Sequence, residues 1–356
     1  MGVALCAGGC STSTKDAPTS LPSGGDSAGN AAAGTTPTTQ GGSSAGQAMQ
    51  AGDGGVTSVA GSSAQAGNSG SAGNSGSAGT ETCGGGDGSA NAAPVMIVEC
   101  PAAPAEAPAA AAAALVAVNE LRSAMGIPCM ALVPEINVSA QKHCDYYQQN
   151  VDDKPCVANA HAEVDTCAGF VAAGFSQRMT AAGYTGSPRS EVMAFSGDPP
   201  RAVAQWINSV DHRTPLVSPW IREMGYGGTE ECDTIDMGQG PKTPDDVTAV
   251  YPYPYQVDVP IEFDGSHEGP MPPEPASGWP SASPVHLFAK SYTVTSHEIF
   301  ASQSCAPLSH QWLPEKDYYI LYADAPFAKN TEYRVRIAGT RNGEALSFDW
   351  TFTTGQ

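Results

Sequence analysis

The run Ala202-Val203-Ala204-Gln205-Trp206-Ile207-Asn208-Ser209-Val210-Asp211-His212-Arg213 leads, after Thr214, into Pro215-Leu216-Val217-Ser218-Pro219-Trp220-Ile221-Arg222-Glu223-Met224-Gly225-Tyr226-Gly227. Val203, Trp206 and Ile207 recur at three- and four-residue steps, the spacing of one buried helix face. Asp198 is a good N-cap and Pro199 suits the first helical position, so a helix is expected from there to Ser209. A short turn is expected after His212, then strands at Ile221–Gly227 and Asp233–Met237. Upstream, the same reasoning gives helices at Ala109–Met125, Glu135–Asn150 and about Ala168–Ala182, and a strand at Arg189–Phe195. Helices flanking a small sheet make a three-layer α/β/α sandwich, and the fold class expected for this part of the chain is α/β.

Three pieces between Cys156 and Gly228 carry the chemistry: Asn159-Ala160-His161-Ala162-Glu163, Ser190-Glu191-Val192-Met193-Ala194 and Val210-Asp211-His212-Arg213. Imidazoles and carboxylates that meet in one cleft can hold a metal or a polar ligand. His143 lies beside the apolar face of its helix and reads as a satisfied structural histidine. The His-Glu-x-x-His zinc motif is absent. The His161-Ala162-Glu163 step is followed by no Pro-Cys-x-x-Cys, which sets aside a zinc deaminase.

From Val247 the helical period stops. Alternating segments at Val257–Phe263, Val285–Ala289, Tyr292–His297, Tyr318–Tyr322, Thr331–Ala338 and Leu346–Phe352 read as short antiparallel strands of a small β-sandwich. Arg341-Asn342-Gly343-Glu344 is a hairpin signal, because Asn-Gly supplies two positive-φ positions. His267, His286, His297 and His310 are scattered through this part and read as ordinary surface or core residues.

The start of the chain is of another kind. Residues 11–93 are almost wholly Gly, Ser, Ala, Thr, Asn and Gln. Such a segment buries too little to offset its ordering entropy and reads as a disordered tether, with an r.m.s. span of roughly 50 Å. Residues 1–10 are small and apolar and lack a basic n-region, yet Ala7-Gly8-Gly9-Cys10 before Ser11 resembles a bacterial lipobox, in which the Cys is acylated. The domains expected are therefore 1–10 as a residual signal with lipidation at Cys10, 11–93 as tether, 94–240 as the α/β domain and 247–356 as the sandwich. Of the 10 cysteines, removal of Cys6 and lipidation of Cys10 leave eight, an even set that reads as disulfides in an exported protein. Cys156–Cys167 is the pair expected to brace the segment around His161. The net charge of −20 with only 16 Lys+Arg excludes nucleic acid and bare anionic membrane as partners. No run of 18 apolar residues is present to span a membrane.

The Trp206-to-Gly227 stretch resembles the bacterial branch of the CAP superfamily (cysteine-rich secretory proteins, antigen-type allergens and pathogenesis-related proteins). The likeness includes the His161 step, the helix end Ala181-Ala182-Gly183-Tyr184, the Ser190–Ala194 strand and Asn119 on the first helix, and it covers roughly residues 110 to 240. The resemblance implies the α/β/α sandwich and a cleft lined by two His and two acids, in which some members bind Zn²⁺. Carried over residue by residue, His161 and His212 are the imidazoles and Glu191 an acid. Ser209 stands where many members have the second acid, and Glu163 is its candidate substitute. Asp211 replaces a Gly and Val192 an Asn. The C-terminal part resembles the immunoglobulin-like module that bacterial members often carry. Three functions follow as expectations. The first is a cell-surface module binding a small apolar or polymeric envelope ligand. The second is a Zn-dependent hydrolase using His161, His212 and Glu191, and the third a structural or adhesive lipoprotein.

Overall fold

The computed structural model describes residues 99–269 and 271–356. The tether, the Cys10 lipobox, Cys6 and Cys83 lie outside the described residues. The first lobe is built on a four-stranded mixed sheet in the order β1-β3-β4-β2. Its strands are β1 (Ala131–Leu132), β2 (Pro188–Ala194), β3 (Glu223–Thr229) and β4 (Cys232–Gly238). β1 pairs parallel with β3, and the other pairs are antiparallel.

Side chains alternate across a strand, so the sheet has two faces of different character. Val192, Ala194, Tyr226, Ile235 and Met237 belong to one apolar cluster with Leu115 and Val118 of α1 (Ala109–Ala124), Val203 and Trp206 of α4 (Pro199–Ile207) and Leu216 of α5 (Val210–Val217). The opposite face lies under α2 (Pro134–Asn150) and α3 (Phe175–Ala181). There β3 presents Gly225 and Gly227, and a Cβ on either would come within 2.2 Å of the α2 backbone at Ile136–Asn137 or Ala140–Gln141. The two glycines let the helix lie directly on the strand. This close approach is the physical content of the Gly225-Tyr226-Gly227 step.

The α/β/α reading holds, with two local differences. The third helix begins at Phe175, seven residues later than Ala168. Before it, Gly169 has φ +76°, and the amides of Val171 and Ala172 donate to Glu163 instead of to a helical carbonyl. The turn expected after His212 is instead the helix α5, opened by Ser209, whose hydroxyl accepts from the His212 amide.

The second lobe stacks two antiparallel sheets, β11-β10-β7 and β5-β6-β9-β8. The strands are β5 (Thr248–Tyr251), β6 (Val285–Ala289), β7 (Tyr292–Ala301), β8 (His310–Pro314), β9 (Tyr318–Ala323), β10 (Glu332–Arg341) and β11 (Glu344–Thr353). Their inward side chains, among them Leu287, Ile299, Leu321, Val335, Trp350 and Phe352, form one core. Asn342 and Gly343 take φ of 52° and 86°, as the hairpin signal requires. The segment Val257–Phe263 is not a strand: Asp258 takes φ 55°, and only isolated bridges at Val259 and Phe263 tie it down. β5 and β8 were not legible as strands.

The lobes share buried clusters. Val217 meets Ala249, Tyr251 and Phe288, and Val210 meets Phe263, Ile320 and Tyr322. Arg213, fully buried, donates to Ile207 O, Pro284 O and His286, and lies 4.2 Å over the Tyr251 ring. Disulfides join Cys100–Cys129, Cys144–Cys232 and Cys156–Cys167. Cys305 is disulfide-bonded as well. Among the described residues no helix is long and apolar enough to cross a membrane.

Candidate functional site

His161 and Glu191 meet. The strand β2 points Glu191 toward the α2–α3 side, and the loop braced by Cys156–Cys167 brings His161 over it. His161 Nδ1 lies 2.9 Å from Glu191 Oε1, with the imidazole 25% exposed and the carboxylate 1%. Glu191 Oε2 accepts from the Arg178 guanidinium, which also donates to the His161 carbonyl at 3.4 Å. Burial by itself pushes the Glu191 carboxyl up. The His161 hydrogen bond and the Arg178 charge overcome this and hold it at about 2, so Glu191 is a carboxylate and His161 Nδ1 the donor.

Behind this pair the network continues inward. Arg178 Nε is 3.6 Å from Glu163 Oε1. Glu163 in turn accepts from Val171 N and Ala172 N and lies 2.9 Å from His143 Nδ1. The second His143 nitrogen is 2.9 Å from Ala160 O, so His143 is a fully satisfied buried residue. Asp236, cross-strand from Glu191, is also fully buried and accepts from Ser139 Oγ at 2.6 Å. Burial and the neighbouring Glu191 charge raise its carboxyl well above the usual range. Both causes favour the neutral form of Asp236.

His212 belongs elsewhere. It stands on α5, in the layer of α1 and α4, with Nδ1 2.8 Å from Ser209 Oγ and 3.6 Å from Glu268 Oε2. Glu268 reaches it from the second lobe, where it is held below the usual carboxylate range; burial works against this, while His212 and Ser209 favour it. Beside it the Asp211 carboxyl is pushed up to about 6 by burial and by Glu268. Among the described residues no hydrogen bond or ion pair links the His212 group with His161 or Glu191. Of the expected set, then, the structure joins His161 to Glu191 and places Glu163 behind them, while His212 pairs with Ser209 and Glu268.

This arrangement does not fit the zinc set of two imidazoles and a carboxylate. Both Glu191 oxygens are committed to His161 and Arg178. Among the described residues no group of three or more His, Cys, Asp or Glu side chains is placed to hold a metal ion. What the site offers is an imidazole whose Nδ1 is fixed by a buried carboxylate and whose other nitrogen has no hydrogen-bond partner among the described residues. Next to it on the same face of β2 comes Met193, and Phe195 follows just past the end of the strand. Phe195 is 52% exposed, with its ring 5.0 Å from Tyr147 of α2. Tyr147 and Ala160 pack together over Met193 and Cys144–Cys232. The aromatic pair thus stands beside the loop that carries His161.

Sequence reasoning missed Arg178, Asp236, Glu268 and the Tyr147–Phe195 pair. Arg178 had a signal: it sits one residue before Met179 on the inward arc of a short helix, where a cation needs a buried partner. Glu268 had none, because it comes from the other lobe. A cleft of about 320 Å³ opens elsewhere, between the lobes at Trp220, Phe288, Lys290 and Tyr318, and neither His161 nor His212 lines it.

Helical layers on both faces of this sheet, with an imidazole backed by a strand carboxylate, define an α/β/α sandwich with a polar site at its α2–α3 face. Residues 115–236 match the family model described as CAP, the cysteine-rich secretory protein family, and this part of the chain, about a third of it, is a domain of that family. The chain is also similar to an extracellular protein containing an SCP domain from Bacillus anthracis str. Ames, solved at 1.5 Å resolution. The two are 18% identical, with a TM-score of 0.32, and the match covers 36% of this chain and 40% of that one. No curated protein matches the chain.

Proposed function

We propose that the protein is an exported, surface-held binding protein whose α2–α3 face takes an apolar envelope ligand beside His161. The observation that carries this reading is the exposed Phe195 on Tyr147, just past the end of the strand that carries Glu191. A large apolar group left in water next to a partly exposed imidazole suits a ligand with an acyl chain and a polar head. The network behind His161 fixes its ring by contacts already complete within the protein, which supports positioning of a ligand. The disulfides support folding in an oxidising compartment. Cys10 and the Gly/Ser-rich segment after it support acylation there, with the folded part held away from the membrane.

The test is binding of fluorescent fatty acid and of envelope lipid extracts to the full chain, beside Phe195→Ser and His161→Ala. Saturable binding, weakened about tenfold or more by Phe195→Ser, is the expected result, since losing a well-buried aromatic contact costs about 1–3 kcal/mol. A wild-type chain that binds no lipid saturably, or a Phe195→Ser chain that binds it equally well, overturns the reading. Saturable binding of an envelope glycan in place of lipid would overturn the apolar assignment alone.

A further inference from the structure

The second lobe holds a pair of histidines that the site above does not use. His297 stands on β7 and His310 on β8, edge strands of the two different sheets. Their rings cross at 77°, and His297 Nδ1 lies 2.8 Å from His310 Nε2. The other His310 nitrogen, Nδ1, is 2.8 Å from Leu308 O. A carbonyl only accepts, so His310 Nδ1 carries the proton and Nε2 carries the lone pair. A backbone carbonyl fixing one imidazole nitrogen so that the other faces a ligand is the arrangement found behind metal-binding histidines. The His297 ring is held just as firmly, stacked on Trp312 at 4.1 Å and 5°. Among the described residues its Nε2 has no hydrogen-bond partner, so it can carry a proton in water.

We propose that His297 and His310 form a two-imidazole site for a divalent late transition-metal ion, Cu²⁺ ahead of Ni²⁺, with water filling the remaining positions. Two nitrogens bound at right angles to one ion are about 2.9 Å apart for metal–nitrogen bonds near 2.0–2.1 Å, close to the 2.8 Å observed. Square-planar and octahedral ions want that right angle, while tetrahedral Zn²⁺ needs the nitrogens some tenths of an ångström further apart. The ion replaces the proton that His297 Nδ1 donates to His310 Nε2, breaking that hydrogen bond, takes the lone pair of each nitrogen and releases two of its waters. The His297 proton moves from Nδ1 to Nε2 through solvent, so no net proton is lost. Glu298 and Asp324 act electrostatically on the pair and favour a cation there, as does the net charge of −20.

Trp312 supplies the readout, since Cu²⁺ on His297 quenches a stacked indole. The full chain is titrated with Cu²⁺ and followed by tryptophan fluorescence, calorimetry and electron paramagnetic resonance. Expected are one equivalent with two-nitrogen hyperfine structure, affinity reduced about tenfold or more in both His297→Ala and His310→Ala, and Trp312→Phe retaining the heat of binding while losing most of the quench. Overturning results are unchanged affinity in both histidine variants, quenching that survives in Trp312→Phe, or loss of the site in His161→Ala. The resonance spectrum needs no variant, so the absence of nitrogen structure in the wild type overturns the proposal even if a variant fails to fold.

Discussion

Arg178→Met removes the one cation that lies between Glu163 and Glu191. Arg178 is fully buried, and so are both carboxylates. Methionine fills much of the space, so the loss is chiefly of charge. Breaking a buried ion pair by deleting one partner costs about 3–5 kcal/mol, because the other charge stays behind unpaired. The Glu191 carboxyl points the same way, held at about 2 against an ordinary 4.5. A shift of that size is worth about 3 kcal/mol, shared between the His161 hydrogen bond and Arg178. For a unit of this size each kcal/mol lowers Tm by about 2–4 °C, so the variant should melt about 6–12 °C lower at pH 7. The pH dependence has a definite sign. A carboxyl held low in the fold stabilises above its unfolded value, and that stability is lost as pH falls toward its folded value. The gap between wild type and Arg178→Met should therefore be full above about pH 5 and shrink between 4.5 and about 2. Adding Glu191→Gln to the variant should restore part of the loss. Thermal unfolding by circular dichroism across pH reads all of this. A variant that melts within about 2 °C of wild type at pH 7 would refute the account of the network.

Asp236→Asn should be at least as stable as wild type at pH 8, since burial and the Glu191 charge favour the neutral form of Asp236 and a carboxyl held above its unfolded value loses stability as pH rises through its folded value. At pH 3.5 the two proteins should match, and a variant less stable than wild type at pH 8 would show that Asp236 is needed as a carboxylate. Gly227→Ala should cost about 3 kcal/mol or more, because the new Cβ would meet α2 backbone at 2.2 Å and neither element can give way cheaply. Denaturation showing a loss under about 1 kcal/mol would mean that α2 does not lie so close. Arg213→Met should weaken the junction between the lobes, removing donations to Ile207 O and Pro284 O and the contact with Tyr251. Calorimetry should show the single transition broaden or split, and a trace unchanged from wild type would count against Arg213 as the anchor.

What was legible in the sequence was what local periodicity and caps control. α4 announced itself through Asp198, Pro199 and the Val203–Trp206 spacing, and the β10–β11 hairpin through Asn342-Gly343. What was not legible was set by partners distant in the chain. Residues 168–174 look helical alone, but two of their amides are taken by Glu163, so the helix starts after them. Asp236 sits in a strand whose alternation is clear, yet its raised carboxyl follows from complete burial and from Glu191 across the ladder. The site divides the same way. The resemblance named His161 and Glu191, and the fold brings them to 2.9 Å. It also named His212, whose carboxylate partner is supplied by Glu268, 56 positions further on and in the other lobe. Ser209, in the place of an acid, is thus part of a different solution: a hydroxyl on the helix cap and a carboxylate from outside the domain hold the second imidazole together. A CAP domain separated from its C-terminal lobe would lose that carboxylate, and Arg213 would lose Pro284 and His286 with it. The His212-Arg213 step therefore does its structural work across the junction between the lobes, while His161 and Glu191 form their pair within the first lobe alone.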